Sequence, residues 1–247
     1  MTSNVVTNTC GERGSQQLTL GVTLNAQQQL SNFSFSGAPA LAQTLDQLML
    51  NEQADSVYVF GAQGVGKSHV LQGCVLKAQE MGQEAVYISC SELMQIPVHQ
   101  ANDYLVGLEH NVLVCVDDID CLVADSHWAQ AWFHLYNRLM QQGNHLVMSA
   151  KSNPRTINCS LNDLRSRLQL ANVFQLNALD ELASRQLLKA KAKQKGLQLT
   201  DEQVAYIFSR SPRGLANLLA VLDLLDSASW LEKRRITIPF IKQVMAW

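Results

Sequence analysis

Three things are missing or scarce in this chain, and each closes off a class of function. No apolar run approaches the ~18 residues needed to cross a bilayer. The opening MTSNVVTNTCGERG also lacks a basic start leading into a long apolar segment, so the expected address is the cytoplasm, with no membrane contact. The six cysteines (Cys10, Cys74, Cys90, Cys115, Cys121, Cys159) include no close Cys-x-x-Cys pair, which leaves neither a zinc site nor a disulfide framework. Cys90 and Cys115 stand in apolar, strand-like runs, where a reduced thiol serves as a small hydrophobe. Basic residues are rare in positions 1–150, with 4 Lys/Arg against 13 Asp/Glu, a net of −9. Positions 151–247 carry 15 against 8, a net of +7. That split fits solvated surfaces that happen to differ. It fits equally a head-to-tail homo-oligomer, with the basic half of one molecule on the acidic half of the next.

What is present is enough apolar material, 47% of 247 residues, for a core domain and a smaller appendage. Residues 1–32 are polar and unlikely material for independent folding. Residues 33–178 read as an α/β core. A helix over 38–50 sets Leu41, Leu45, Leu48 and Leu50 toward one side. Strands are expected at Val57–Phe60, Ala85–Ser89, Val112–Asp117, Leu146–Ser149 and Val173–Leu176. Short apolar strands alternating with helices point to a parallel five-stranded sheet covered on both faces. Asp125 to Gln142 carries Trp128, Trp132, Leu135, Tyr136 and Leu139 at helical spacing, an aromatic stripe read as core packing, and Gly143 is its stop. Residues 179–247 read as helices only, a small lid. One helix runs from Asp180 to about Lys195, and Thr200-Asp-Glu-Gln203 is a capping box. Ser211-Pro212 opens a third helix with Leu215, Leu218, Leu219, Leu222 and Leu225 on one face. A last one covers Pro239 to Ala246. The lysines at 189, 191, 193 and 195 spread around their helix, which makes a solvated basic surface rather than a nucleic-acid stripe.

The most specific motif is Gly61-Ala62-Gln63-Gly64-Val65-Gly66-Lys67-Ser68, between the strand ending at Phe60 and a helix running from His69 to Met81. Strand, glycine-rich turn, helix is the setting of a P-loop. The glycines let backbone N–H groups converge on an anion, and the helix aims its positive end at the same point. Lys67 would reach the terminal phosphates, and the Ser68 hydroxyl would ligate Mg²⁺. About fifty residues further on, the apolar strand from Val112 delivers Asp117 and Asp118 at its end. That suits a Walker B element, with Asp117 holding Mg²⁺ through water and Asp118 orienting the attacking water. Ser149, at the end of the fourth strand, is a candidate phosphate sensor or an ordinary strand-end serine. Arg165 and Arg167 lie in the amphipathic segment Leu161–Leu168. Either is a surface ion-pair partner or an arginine reaching a neighbour's nucleotide, an effect worth about 10³–10⁵ in rate. Arg213, beside Pro212, could fold back onto the nucleotide of its own chain.

In the polar N-terminal stretch, Gln17, Leu18, Leu20 and Val22 form a glutamine followed by spaced aliphatics, a pattern suited to plugging an apolar groove. It resembles the peptide by which replication proteins dock on the bacterial sliding clamp, with Gly21 where proline is common. The P-loop, the strand ending in two aspartates, the strand-end serine, the arginine in Ser166-Arg-Leu168 and Arg213-Gly-Leu215 together resemble an AAA+ ATPase. Over roughly residues 30–247 their order resembles the nucleotide-binding region of the replication initiator DnaA. Without the helix-turn-helix DNA reader that follows there, and with Trp132-Phe-His-Leu-Tyr136-Asn-Arg138 and Ile236-Thr-Ile-Pro-Phe240, the chain is most similar to the Hda family of DnaA-homologous regulatory inactivators.

That resemblance implies an AAA+ core with a helical lid. It implies DnaA and the DNA polymerase III sliding clamp (β subunit) as partners, with DNA met mostly through the clamp. Arg167, or else Arg165, would act in trans on ATP bound to DnaA. The chain's own nucleotide, ADP or ATP with Mg²⁺, would be held by Gly61–Ser68, His69 and Arg213 and hydrolysed weakly or not at all. The alternative is an autonomous AAA+ ATPase, a helicase- or clamp-loader-type subunit, which the complete Walker pair would allow.

Overall fold

The computed structural model describes residues 24–25, 28–51, 53–212 and 214–247. The chain forms two compact units, divided between Leu176 and Asn177.

In the first unit, α1 (Pro39–Leu50) precedes β1 (Ser56–Phe60), and α2 (Lys67–Glu80) leads to β2 (Ala85–Ser89). Two short helices, α3 (Cys90–Leu93) and α4 (Ala101–Leu105), precede β3 (Leu113–Asp117). Then come α5 (Ser126–Gln141), β4 (His145–Ala150), α6 (Asn162–Leu170) and β5 (Asn172–Gln175). The five strands form one parallel sheet in the order β2-β3-β4-β1-β5. Parallel strands need crossovers, and the helices supply them while covering both faces. One face packs Ile88, Val114, Val116 and Met148 against α3 to α6. The other packs Val57, Val59, Cys115 and Val147 against α1 and α2. The aromatic stripe of α5 is core, as its spacing predicts: Trp128, Trp132, Leu135, Tyr136 and Leu139 are all buried. Asp125 caps that helix by accepting from the N–H groups of His127 and Trp128.

Leu50 departs from expectation. It is 75% exposed, and Met49 is buried in its place. At 100° per residue, position 50 lies half a turn from the side shared by Leu41, Leu45 and Leu48. β5 is less buried than a central strand because it is the sheet's edge.

The second unit contains α7 (Glu181–Gln194), α8 (Asp201–Arg210), α9 (Leu215–Glu232) and α10 (Ile238–Met245) around Leu188, Ile207, Leu222, Leu225 and Phe240. The capping box forms: Thr200 accepts from the Gln203 N–H and Gln203 reaches back to the Thr200 N–H. Pro212 does not open the next helix. α9 begins at Leu215 with Gly214 as its cap, at φ +120°, a dihedral that favours glycine. Its buried face is accordingly Leu218, Val221, Leu222 and Leu225, while Leu215 and Leu219 are half-buried. Of the lysines of α7 and its end, Lys189 pairs with Asp201 and Lys195 with Asp223 at 2.9 Å, while Lys193 is exposed. Burial pushes the Lys191 ammonium down. Among the described residues, no helix is long and apolar enough to cross a membrane.

Candidate functional site

The carboxyl ends of β1, β3 and β4 lie side by side, where ligands of open α/β sheets bind. From the end of β1 the chain turns through Gly61 to Gly66 and enters α2 at Lys67. Gly64 and Gly66 have φ of +80° and +100°. A Cβ on Gly61 would lie 2.2 Å from the Leu176 carbonyl oxygen, so only glycine fits there. One on Gly64 would meet nothing within 4 Å. The loop is therefore tight at its base and open at its tip, where Ala62, Gln63 and Gly64 are exposed and Val65 is half-buried. The first backbone bond of α2 runs from the Val70 N–H to Gly66 O, so the earlier amides are not used by the helix ladder.

Lys67 is 7% exposed, and its Nζ donates to the carbonyls of Gly61 and Ala62, both at 3.1 Å. Among the described residues it makes no ion pair. A buried ammonium with a donor to spare, inside a glycine cradle at a helix N-terminus, fits a phosphate. Ser68 and His69 follow, half-buried in the first turn. The His69 ring packs edge-on against Phe33, 5.5 Å between centroids, and its Nε2 lies 3.0 Å from Gln29 O.

β3 delivers Asp117, 6% exposed, and the chain then turns sharply at Asp118, whose φ is +54°. The Asp117 carboxylate is held on both oxygens: Tyr87 donates to Oδ2 at 2.7 Å, and Ser149 donates to Oδ1. The Ser149 hydroxyl accepts in turn from the Asp118 N–H at 2.9 Å. Ser149 is thus fully buried, with its proton given to an aspartate. Burial, then the charge of Asp117, pushes the Tyr87 phenol well above its usual range, and hydrogen bonds with Gln72 and Ser68 oppose this. The Asp118 carboxyl is also raised, by burial first and then by Asp117, against the pull of Lys67.

The two arginines part company on α6. Arg165 donates to Asn162 Oδ1 at 2.7 Å. Arg167 is exposed, with no ion pair or side-chain hydrogen bond among the described residues. Arg213 and the peptide Gln17, Leu18, Leu20, Val22 lie outside the described residues.

Sequence reasoning passed over Tyr87 and Phe33. The sole signal for Tyr87 was a polar group inside the otherwise apolar strand AVYIS. Phe33 had none, although a Cβ on Gly66 would lie 2.6 Å from its ring.

A five-stranded parallel sheet carrying a P-loop, an acidic β3 end and a helical lid defines an AAA+ ATPase fold. A family model for the bacterial DnaA ATPase domain matches residues 26–175, and one for the lid domain of Hda matches residues 180–245. The chain belongs to the bacterial DnaA ATPase family and, with that lid, is an Hda-like, DnaA-homologous protein and a DnaA-related replication regulator. Among solved structures it is similar to domain III of DnaA from Thermotoga maritima, with 16% identity over 91% of this chain and 98% of that one and a TM-score of 0.76. AMPPCP-bound DnaA from Aquifex aeolicus matches at 19% identity over 85% and 70% of the two chains, TM-score 0.72. The RuvB Holliday junction branch migration motor of Thermotoga maritima matches at 16% identity over 89% and 71%, TM-score 0.67. At these identities the structural likeness speaks to the fold.

Proposed function

We propose that this protein binds ADP or ATP with Mg²⁺ at Gly61–Ser68 and switches off ATP-bound DnaA by supplying Arg167 to DnaA's nucleotide. One observation carries the second half. On the same short helix Arg165 is tied to Asn162, whereas Arg167 is exposed and, among the described residues, unpaired. An arginine that completes another molecule's site must be free to leave its own surface, and its value lies in the charge developing on the transferred phosphoryl group. The surroundings favour such a partner. Between positions 151 and 176, Lys151, Arg155, Arg165 and Arg167 stand against Asp163 alone, a basic island in an otherwise acidic unit.

Within the chain, Lys67 and the loop amides bind phosphate, and Ser68 and Asp117 hold the cation, which would neutralise charge on the phosphates. Ser149 acts through Asp117 and Asp118, fixing their orientation rather than touching phosphate itself. Arg213 would add a further positive charge to the same nucleotide. The peptide Gln17–Val22 would tether the protein to the DNA-loaded sliding clamp.

The test is phosphate release from a mixture of clamp-loaded DNA, ATP–DnaA and this protein. Arg167→Ala should abolish stimulation with the fold and nucleotide binding intact, Arg165→Ala should leave most of it, and Gln17→Ala should remove clamp co-elution alone. Stimulation retained by Arg167→Ala would reject the arginine assignment. Because Asp117 and Asp118 complete a Walker pair, rapid hydrolysis by the protein alone would favour the autonomous ATPase.

A further inference from the structure

The side of α6 that carries Arg167 also carries an apolar group that phosphate chemistry does not need. Asp163, Ser166, Arg167 and Leu170 follow the i, i+3, i+4, i+7 spacing and so share one sector of about 100° on the helix. All four are exposed. The helix places Leu164 and Leu168 in the core, whereas Leu170 is 71% exposed.

The next exposed aliphatic residue extends the same surface. After buried Ala171 the chain enters β5, where Val173 is 37% exposed. Val173 stands beside Tyr58 of β1 in register, and Tyr58 belongs to the core beneath α6. Side chains alternate along a strand, so Phe174 turns to the α1 and α2 side while Val173 stays on the α6 side. Leu170 and Val173 therefore form an aliphatic step next to Arg167, on the edge strand of the sheet.

A single exposed leucine is ordinary. This one shares its helix face with Arg167, one turn away, and that face is not closed on itself. Asp163 lies four residues before Arg167, a spacing suited to an ion pair, yet no ion pair joins them. The occupant follows from the role proposed above for Arg167, on which this inference rests. A guanidinium that reaches another molecule's nucleotide brings Leu170 to within about 5 Å, one helical turn, of the same surface. The surrounding Lys151, Arg155 and Arg165 suit an acidic, nucleotide-bearing partner. Two aliphatic side chains are too small an apolar area to hold a membrane.

We propose that Leu170, with Val173 beside it, is the apolar anchor by which this protein grips ATP-bound DnaA. Leu170 is a positioning residue that sets affinity, whereas Arg167 sets rate. The division has a physical basis. An apolar contact is equally good before and during phosphoryl transfer, so it changes binding alone. A guanidinium gains strength as charge develops, so it changes the maximal rate.

Two readouts on the full chain separate these roles. Binding is read by surface plasmon resonance on immobilised DnaA loaded with a non-hydrolysable ATP analogue. Rate is read as phosphate release from ATP–DnaA with clamp-loaded DNA. Leu170→Ala should weaken binding about tenfold or more and raise the half-maximal concentration by the same factor. Its maximal rate should stay within about twofold of wild type, with melting temperature and nucleotide affinity unchanged. Leu170→Met, close in volume, should recover most of the affinity, and Leu170→Asp should lose it. Unchanged binding by Leu170→Ala, a lower maximal rate at unchanged half-saturation, or loss of clamp binding instead would overturn the anchor and leave the Arg167 assignment standing. Weakened binding by Leu170→Ala together with stimulation retained by Arg167→Ala would reject the arginine assignment and keep the anchor. A wild-type protein that does not bind loaded DnaA would remove both.

Discussion

Tyr87, on β2, donates its hydroxyl to Asp117 Oδ2 at 2.7 Å, across thirty residues of sequence and one step of the sheet. Ser149 holds the other oxygen from β4, so the acidic end of β3 is clamped between its two neighbouring strands. A carboxylate oriented this way presents a fixed geometry to a cation, and the orientation comes from groups that need not touch the cation themselves.

Replacing Tyr87 with Phe should leave the ring packed but release Asp117. The expected result is a loss of about 1–2 kcal/mol in urea unfolding. Nucleotide affinity in the presence of Mg²⁺ should weaken more than affinity in EDTA, and equal weakening in both would separate Tyr87 from the cation site.

Ser149→Ala leaves the Asp118 N–H without its acceptor. A buried donor deprived of its partner costs about 1–3 kcal/mol, so this variant should be clearly destabilised in the same titration, and Ser149→Thr should recover part of the loss.

Asp118 gives a pH dependence of definite sign. Its folded-state pKa is raised, so the folded protein binds a proton that the unfolded chain has already lost. The resulting cost is absent below the ordinary aspartate pKa, grows as pH rises through the window up to the raised value, and is fully present above it. Asp118→Asn should therefore raise the melting temperature at pH 7, and its gain over the wild type should shrink as pH falls through that window, so that its stability rises more steeply with pH. Asparagine also accepts the positive φ at this position. A variant less stable at pH 7 than the wild type would contradict this account.

Gly73→Ala tests how the chain before α1 is held. An added Cβ would come within 2.8–2.9 Å of Gln28 O, Leu30 N and the Leu30 side chain, and backbone cannot yield cheaply. Amides of residues 28–35 should then exchange faster by hydrogen–deuterium measurement, with the exchange of β1, β3 and β4 unchanged.

In the lid, Thr200→Ala removes the capping hydroxyl of α8 and should cost about 1 kcal/mol, with Thr200→Ser near neutral.

What the sequence by itself determined is what depends on near neighbours. The P-loop, the end of β3, the α5 stripe and the Thr200 box are each written in a few contiguous residues, because strand period, helical spacing and capping are local physics. Helix ends were less legible: Pro212 looked like a first-turn residue, but the positive φ of Gly214 moved the start of α9 to Leu215. Leu50 was misplaced by reading spacing without its full angle. Only the tertiary structure decided the rest. It joined Tyr87, Asp117 and Ser149 through a strand order that departs from chain order, and it set Phe33 against Gly66. It left Arg167 exposed and without a partner among the described residues, while securing Arg165 two residues away. Those outcomes turn on which side chains meet across the sheet or face outward, and that is fixed by packing between distant segments, to which no local pattern is sensitive.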